Sequence, residues 1–357
     1  IFDKESFALT NVSIKYCDEY DFNKVYIGIK NSIEDLGGLE KYILKGEKVL
    51  LKINMLMKKK PEDATTTHPI FVKALAKILI EYGAKVIIGD SPGGPFNKTV
   101  LKSMYRATGM EEIAESLNIK LNFNTASFEK ENPDGYILKK ITMTDMLNDV
   151  DKVISVSKLK THGMMTFTGA VKNMFGTIPG VLKAEYHLNM PEYEDFANSL
   201  VDICRCANPV LSFMDGIIGM EGNGPSAGNP RAVNAIITSD SPYHLDKVAC
   251  KIIGLDLDTI PTIAASINQN LCSAGINDIN LMGEKIEIFS IEDFKLPHSV
   301  QVNPYTKKLP SFARKFLDDH RKSKPIVNED LCIGCKVCLE NCPAKIITMN
   351  SKNKPTI

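Results

Sequence analysis

Short apolar runs recur along the chain, and helical stretches separate several of them. The runs are VSIKY, KVLLKI, KVIIGD, KLNFN, KVISVS, VLSFMD, AVNAIIT and KIEIF. Several of them are apolar at consecutive positions, which is typical of strands that are buried on both faces. Buried strands that alternate with helices predict an α/β fold, built on a mostly parallel sheet, or sheets, with helices on both faces.

The clearest helical pattern covers residues 69–84, PIFVKALAKILIEYGA. Pro69 is placed to occupy the first turn and Gly83 to end the helix. Before that end, the polar residues are spaced by four, and they are Lys73, Lys77 and Glu81. One narrow stripe therefore faces water, and the rest of this helix is predicted to be buried.

The amino-acid composition limits the classes of binding partner and the cellular compartment that are expected for this protein. Lys and Arg together number 43, as do Asp and Glu, so the formal net charge of +0 favours neither nucleic acid nor a membrane surface as a partner. No apolar stretch approaches the ~18 residues of a membrane span. The first residues, IFDKESFALT, carry acids and no apolar run, unlike a signal peptide. The nine Cys do not form a secreted disulfide framework, so the interpretation is a cytoplasmic protein.

Polar residues follow the predicted strands, where ligands bind in an open parallel sheet. They are Lys52, Asn54, Asp90, Lys158, Lys160, His162 and Asp215. In an extended strand Lys158, Lys160 and His162 share one face. The interpretation is a site for a small anionic substrate or cofactor; the alternative is that each lysine simply reaches water.

Further candidates lie between the strands. Lys172 and Asn173 fall on a short helical stretch, and His187 follows several turns later; each could be an ordinary surface residue. His68 directly precedes the helix at Pro69. It is either a helix-entry residue next to a threonine cap or an imidazole placed where a helix N-terminus attracts anions.

A glycine-rich loop, GIIGMEGNGPSAGNPR, covers residues 216–231. Successive backbone N–H groups at Gly222, Asn223 and Gly224 can form an anion-binding nest, and a plain tight connection is the alternative. Glu221 is the carboxylate that such a loop leaves accessible, so it is a catalytic candidate.

The C-terminal part contains the run CIGCKVCLENCP, with cysteines at 332, 335, 338 and 342. This spacing is that of bacterial ferredoxins, in which the first three thiolates bind one [4Fe–4S] cluster and the fourth binds a second cluster. A zinc site would need two CxxC pairs farther apart. Cys332, Cys335, Cys338 and Cys342 are therefore the expected iron ligands. A second Cys run is missing, so we expect two clusters in the complete protein and an absent or incomplete cluster in this half-ferredoxin segment.

Taken together, these motifs resemble a prokaryotic family of iron–sulfur proteins known as a domain of unknown function. The ordered set includes Lys52-x-Asn54, Lys158-x-Lys160-x-His162 and Lys172-Asn173, with the ferredoxin run at the end. The resemblance covers roughly residues 10–255 plus the tail. It implies a two-lobed α/β domain, distantly like nickel-dependent lactate racemases, with an appended ferredoxin module. The expected organisation is the α/β domain over 1–295, a linker over 296–325 and the incomplete cluster module over 326–357.

The leading hypothesis for function is an iron–sulfur oxidoreductase, a ferredoxin-type reductase whose appended module relays electrons to a small anionic substrate or cofactor bound in the α/β cleft. A redox partner protein supplies electrons, Lys52, Lys160 and Lys172 neutralise the anionic substrate, and His162 and His187 donate protons. The alternatives are a binding or electron-transfer protein without chemistry of its own, and an isomerase or lyase with structural clusters. In that last case His68, His162 or His187 and a carboxylate hold a metal ion.

Overall fold

A computed structural model describes residues 9–298, 327–340 and 347–356. The strands are Thr10–Tyr16 (β1), Lys48–Ile53 (β2), Lys85–Gly89 (β3), Lys120–Leu121 (β4), Ser127–Glu131 (β5), Lys140–Thr144 (β6), Lys152–His162 (β7), Thr166–Thr168 (β8), Leu211–Glu221 (β9), Asn229–Ser239 (β10), Ile279–Gly283 (β11), Thr348–Met349 (β12) and Pro355–Thr356 (β13). The helices are Phe22–Asp35 (α1), Pro69–Tyr82 (α2), Lys98–Ala107 (α3), Met110–Leu117 (α4), Ala170–Asn173 (α5), Leu182–Asn189 (α6), Tyr193–Ala207 (α7), Pro242–Ile252 (α8), Pro261–Asn268 (α9) and Val337–Glu340 (α10). Short 3-10 helices occupy Leu39–Lys41, Pro61–Asp63, Asp145–Leu147, Met174–Thr177, Leu257–Thr259 and Ile286–Ile288.

One nine-stranded sheet organises the chain from β1 to β11. Its strand order is β11-β1-β10-β9-β7-β2-β3-β4, and β8 pairs with β7 at one end. The strands β9, β7, β2, β3 and β4 are parallel neighbours, as are β11 and β1. Antiparallel β10 joins the two parallel groups. The predicted mostly parallel α/β fold is confirmed, and both groups share this one sheet rather than forming two.

Helices cover both faces of this sheet, because consecutive strand residues point to opposite sides. In β2, Leu51 packs with the helices α1 and α2, whereas Leu50 packs with α7 on the other face. In β10, Ile236 joins the first face and Ile237 packs with α8. Strands that are buried on both faces have apolar residues at consecutive positions. This explains why these strands could be predicted from the sequence.

The helix predicted over 69–84 is α2, Pro69–Tyr82. Its start is set by His68, whose Nδ1 accepts the Ile70 N–H at 3.2 Å, so His68 itself is the cap rather than a neighbouring threonine. Its end is set by Gly83, whose φ of 108° lies in the left-handed region that favours glycine. The helix boundaries therefore follow from local chemistry that the sequence displays.

One strand assignment was wrong, and several strands, among them β5, β6, β8 and β11, were missed. The run KIEIF was expected to be a strand, but Ile286–Ile288 is a 3-10 helix that packs against α8. The edge strand is instead β11, a mixed polar and apolar segment that pairs with β1. An edge strand has one partner and one exposed side, so its composition carries a weaker signal than that of the buried strands.

In the part of the chain that the structure describes, no helix combines the length and the apolar character that a membrane crossing requires. Most of the expected linker over 296–325 and the fourth cluster ligand, Cys342, lie outside the described residues.

Candidate functional site

Lys52, near the carboxyl end of β2, forms a buried ion pair with Asp90, which follows β3. The Lys52 Nζ lies 2.7 Å from Asp90 Oδ1, and both side chains are nearly fully buried. Asp90 Oδ2 also accepts the Met55 N–H at 2.6 Å. Burial lowers the pKa of Lys52, and the Asp90 carboxylate opposes that shift. Lys52 was expected to bind substrate, but its charge is already matched within the protein.

Gly176 lies directly on this ion pair. A Cβ at Gly176 would come within 2.2 Å of Asp90 Oδ1 and 2.3 Å of Lys52 Nζ. We expect Gly176→Ala to lower the free energy of unfolding by about 1–3 kcal/mol, because the new methyl group must displace a packed pair. Urea denaturation measures the change. Gly93→Ala is the control, since a Cβ at Gly93 meets nothing within 4 Å; equal stability of the two variants would contradict the close packing.

A second buried ion pair joins Lys158 on β7 to Asp215 on β9, with 2.9 Å between Lys158 Nζ and Asp215 Oδ2. Tyr20 donates its hydroxyl to Asp215 Oδ1 at 2.7 Å and accepts a hydrogen bond from Lys158. The Tyr20 ring also stacks on His68, with the ring centroids 3.6 Å apart. Lys158 was expected to bind substrate, but its charge is neutralised by Asp215. Tyr20 also belongs to this network, and it was not identified from the sequence.

Lys160 is bound differently, through neutral acceptors. Its Nζ donates to Asn54 Oδ1 and to the Thr65 carbonyl, each at 2.8 Å. Asn54 donates in turn to Asn173 Oδ1 at 3.3 Å, and Asn173 Nδ2 donates to the Lys52 carbonyl at 2.9 Å. Burial is the largest cause that lowers the pKa of Lys160 well below its usual value, followed by the charge of Lys172. An ammonium group has three donors, so one remains for a ligand.

Two further lysines lie near Lys160 on the same side. Lys172 on α5 and Lys183 on α6 place their Nζ atoms 5.8 and 5.7 Å from the centroid of the Phe175 ring. Both side chains are only partly exposed, and burial lowers the pKa of Lys172 to about 8 and that of Lys183 to about 7. Lys183 donates to the Ser91 carbonyl. Among the described residues, no carboxylate lies within 4 Å of Lys160, Lys172 or Lys183.

The sequence interpretation missed Lys183. The available signal was its position one helical turn before His187 on α6, which puts both side chains on the same face of that helix. His187 is largely exposed and packs its ring against Phe175 and Phe196. Burial and the charge of Lys172 lower the pKa of His187. The structure therefore places His187 close to Lys172, and Lys183 is an additional member of this group.

His162 is held in one tautomer. Its Nδ1 accepts the N–H groups of Met164 at 3.0 Å and Met165 at 3.1 Å, which leaves the proton of the neutral ring on Nε2. Burial first, and then the charges of Lys172 and Lys160, lower the pKa of His162 well below its usual value. His162 is therefore neutral near neutral pH, and its Nε2–H is the only proton that it offers.

The histidines do not form a metal site with the carboxylates. In residues 9–298, 327–340 and 347–356, no three His, Cys, Asp or Glu side chains stand together as ligands for one ion. His68 uses Nδ1 to cap α2, its backbone N–H donates to Asp215 Oδ2 at 2.9 Å, and burial lowers its pKa to about 4. His68 therefore belongs to the Tyr20 network.

The glycine loop corrects another expectation. The Gly222 N–H donates to the Lys295 carbonyl at 2.7 Å, and the Gly224 N–H donates to the Gly222 carbonyl at 2.8 Å. Asn223 accepts the His298 N–H through its side chain at 3.2 Å. The anion nest expected at Gly222, Asn223 and Gly224 was thus wrong for the two glycine amides, because the chain already uses them. Glu221 is buried and accepts the Lys295 N–H at 3.1 Å. Its contacts are therefore with Lys295 and not with the lysines of the candidate site.

The described part of the cysteine run forms an exposed loop that leads into α10, on which Cys338 lies. Gly334 has a φ of 69°, and a Cβ there would come within 2.6 Å of the Asn353 side chain, so the loop folds closely over the turn before β13. Cys332 is partly exposed, Cys335 and Cys338 are exposed, and none of the three is in a disulfide. Accessible soft thiols at this spacing fit an iron–sulfur cluster as a donor set, although the three sulfurs do not yet converge on one point.

Comparison with solved structures finds a distant likeness. The lactate racemase apoprotein from Thermoanaerobacterium thermosaccharolyticum matches with a TM-score of 0.40 and 13% sequence identity. The match covers 69% of this chain and 57% of the racemase chain, which is little more than half of that protein.

Comparison with known sequences finds closer relationships. The thylakoid-associated protein sll1697 of Synechocystis sp. is 33% identical over 257 residues, which cover 71% of this chain and 78% of that protein. A 4Fe-4S binding domain matches residues 325–348, which confirms the predicted iron–sulfur motif. A domain of unknown function, DUF362, matches residues 49–251 and contains the lysines described above. The family resemblance drawn from the motifs is confirmed: this chain belongs to the DUF362 family.

Proposed function

We propose that this protein is an iron–sulfur oxidoreductase that reduces a small anionic substrate bound at the carboxyl ends of β2 and β7. One observation carries the proposal: Lys172 lies close to both Lys160 and Lys183, and no carboxylate of the described residues lies within 4 Å of any of the three. The Asp90 carboxylate attracts Lys160 and Lys183 from a greater distance, but it is already paired with Lys52. Cations that are withdrawn from water without a close counter-charge are costly. An anionic ligand supplies the missing negative charge and forms charge-assisted hydrogen bonds with them.

Each residue of the site has a role in this proposal. Lys160 and Asn54 bind the anionic group, and Asn173 orients Asn54. The Nε2–H of His162 donates a hydrogen bond to a substrate oxygen. Reduction also consumes protons, and Lys183 is suited to donate one near neutral pH because its pKa is lowered to about 7. His187, largely exposed on α6, exchanges protons with solvent.

In the C-terminal module, Cys332, Cys335 and Cys338 would hold one [4Fe–4S] cluster, and Cys342 would serve a second one in the complete protein. Such clusters supply single electrons, received here from a redox partner protein.

The described cysteines are all free of disulfides, which supports a reducing, cytoplasmic location. The balanced charge supports a protein that works without nucleic acid or a membrane as partner.

Anion binding is expected to weaken as the pH rises. Lys183 and Lys172, with pKa values of about 7 and about 8, lose their protons in turn, and each loss removes a charge-assisted donor. Binding of an anion raises these pKa values, so protons are taken up and the affinity is highest at low pH. Between about pH 6 and about pH 9 we expect the affinity for oxalate to fall by ~10-fold or more. Calorimetric titration measures it.

The variant Lys183→Gln is the matched test of this pH dependence. Its affinity at low pH should be lower than that of the wild type, and the decrease around pH 7 should disappear while the decrease around pH 8 remains. A pH profile that is unchanged in Lys183→Gln would exclude Lys183 from the anion site.

The reductase activity itself is tested with the complete protein under anaerobic conditions. After reduction with dithionite and removal of the excess, the visible absorbance of the clusters is followed while small carboxylates and phosphates are added one at a time. We expect at least one of them to reoxidise the clusters, and Lys160→Met to slow that reaction. If anions bind but none reoxidises the clusters, the protein is a binding protein instead, and the reductase proposal is wrong.

A further inference from the structure

Lys172 differs from the other lysines of the site because, among the described residues, its Nζ has no hydrogen-bond acceptor. Lys160 donates to Asn54 and Thr65, and Lys183 donates to Ser91. In the described ranges of the chain, the Nζ of Lys172 lies instead over the Phe175 ring, 5.8 Å from the ring centroid. Its neighbours on α5, Val171 and Asn173, are buried, and the Lys172 side chain is only partly exposed.

Such surroundings favour the neutral amine of Lys172. An ammonium group that is partly withdrawn from water without a hydrogen-bond acceptor loses solvation that an aromatic ring replaces only in part, whereas a neutral amine loses less. Neighbouring positive charge acts in the same direction, and Lys160 and Lys183 lie nearby. A desolvated lysine beside another cation is one of the arrangements that turn an amine into a nucleophile. The pKa of Lys172, lowered to about 8 by burial, agrees with this geometry.

We propose that Lys172 forms a Schiff base with a small carbonyl compound that carries an anionic group, such as an oxo acid. The proposal rests on the anion site proposed above and names the class of its substrate. Lys160 and Lys183 hold the anionic group, and this brings the carbonyl carbon to the amine of Lys172. The carbonyl group is uncharged and requires no cation for binding, so Lys172 can meet it as a neutral amine.

The step balances without any oxidant or reductant. The Lys172 nitrogen forms a bond to the carbonyl carbon, and the carbonyl oxygen takes up a proton to give a carbinolamine. The nitrogen then loses a proton, which the neutral ring of His187 can accept. His187 then returns this proton to the hydroxyl group, the carbon–oxygen bond breaks, water leaves and a protonated C=N bond forms. The protonated imine is a better electron acceptor than the carbonyl group that it replaces, which links this step to a reductive function.

The alternative is that Lys172 only contributes positive charge. Lys172→Arg separates the two roles, because a guanidinium keeps the charge but forms no Schiff base. Lys183→Arg is the matched control, since it makes the same change at the second lysine whose Nζ lies over the Phe175 ring.

The experiment uses the complete protein, glyoxylate as the carbonyl probe and cyanoborohydride, which reduces an imine to a stable secondary amine. Peptide mass spectrometry then locates the added carboxymethyl group. We expect labelling of Lys172 to exceed that of an exposed lysine such as Lys30 by at least ~10-fold, because burial lowers the pKa of Lys172 to about 8 and the anion site holds glyoxylate beside it. Excess oxalate should suppress it.

The variants decide the outcome. Lys172→Arg should lose the selective label and keep its affinity for oxalate, and Lys183→Arg should keep the label on Lys172. Labelling spread evenly over exposed lysines, with oxalate binding intact, would overturn the Schiff base and leave the anion site standing. If oxalate does not bind to the wild type either, the anion site itself is wrong, and the Schiff base is wrong with it.

Discussion

Asp215→Ala is expected to destabilise the protein by about 3–5 kcal/mol, because it leaves the buried Lys158 ammonium without its carboxylate. Lys158 and Asp215 are 1% and 0% exposed, and their charged atoms are 2.9 Å apart. Asp215 also accepts hydrogen bonds from the Tyr20 hydroxyl and the His68 N–H, both of which lose their acceptor. Urea denaturation of the wild type and the variant measures the loss.

The control is the double variant Lys158→Met/Asp215→Leu. It removes both charges together, so no buried ion remains unpaired, and we expect it to be more stable than Asp215→Ala alone. If the double variant loses as much stability as the sum of the two single variants, Lys158 and Asp215 are not energetically coupled and the ion pair does not stabilise the fold.

Cys335→Ala is expected to prevent assembly of the cluster that Cys332, Cys335 and Cys338 would bind. Two thiolates cannot replace three at a cubane, so iron content should fall by about four atoms per chain, and the visible absorbance should fall with it. Reconstitution of the complete protein with iron and sulfide, followed by iron analysis, provides the measurement. About eight irons per chain in the wild type would agree with two clusters, and about four with one.

Cys206→Ala serves as the comparison. Cys206 is buried on α7 and is not part of the cysteine run. This variant should retain its iron. Loss of iron in Cys206→Ala, or full iron in Cys335→Ala, would contradict the assignment of the ligands.

The sequence predicted the buried strands well and the edges poorly. The runs KVLLKI and KVIIG are apolar on both faces because helices cover both sides of β2 and β3, and burial of this kind leaves a clear pattern. KIEIF has a strand-like composition, but Ile286–Ile288 packs as a 3-10 helix against α8. Its conformation depends on tertiary packing, which a short local pattern does not contain.

The sequence also identified the lysines at the strand ends but not their charge balance. Lys158 meets Asp215 because β7 and β9 are neighbours in register, and Lys52 meets Asp90 because β3 lies beside β2. Strand order was not predicted, so these pairs were not either. Lys183 reaches the site from a helix whose residues are all at least partly exposed. The distinction between paired and unpaired lysines therefore required the fold.

Calorimetric titration with oxalate on the acidic side of neutral pH tests most directly whether the lysines without a close carboxylate bind an anion. The complete protein is compared with Lys160→Met and with Lys30→Met, whose lysine is 54% exposed on α1. Saturable binding of one oxalate per chain is predicted for the wild type and for Lys30→Met. Lys160→Met should bind ~10–100-fold more weakly, since it loses a charge-assisted hydrogen bond. Unchanged affinity in Lys160→Met, or no saturable binding to the wild type, would contradict the proposed anion site.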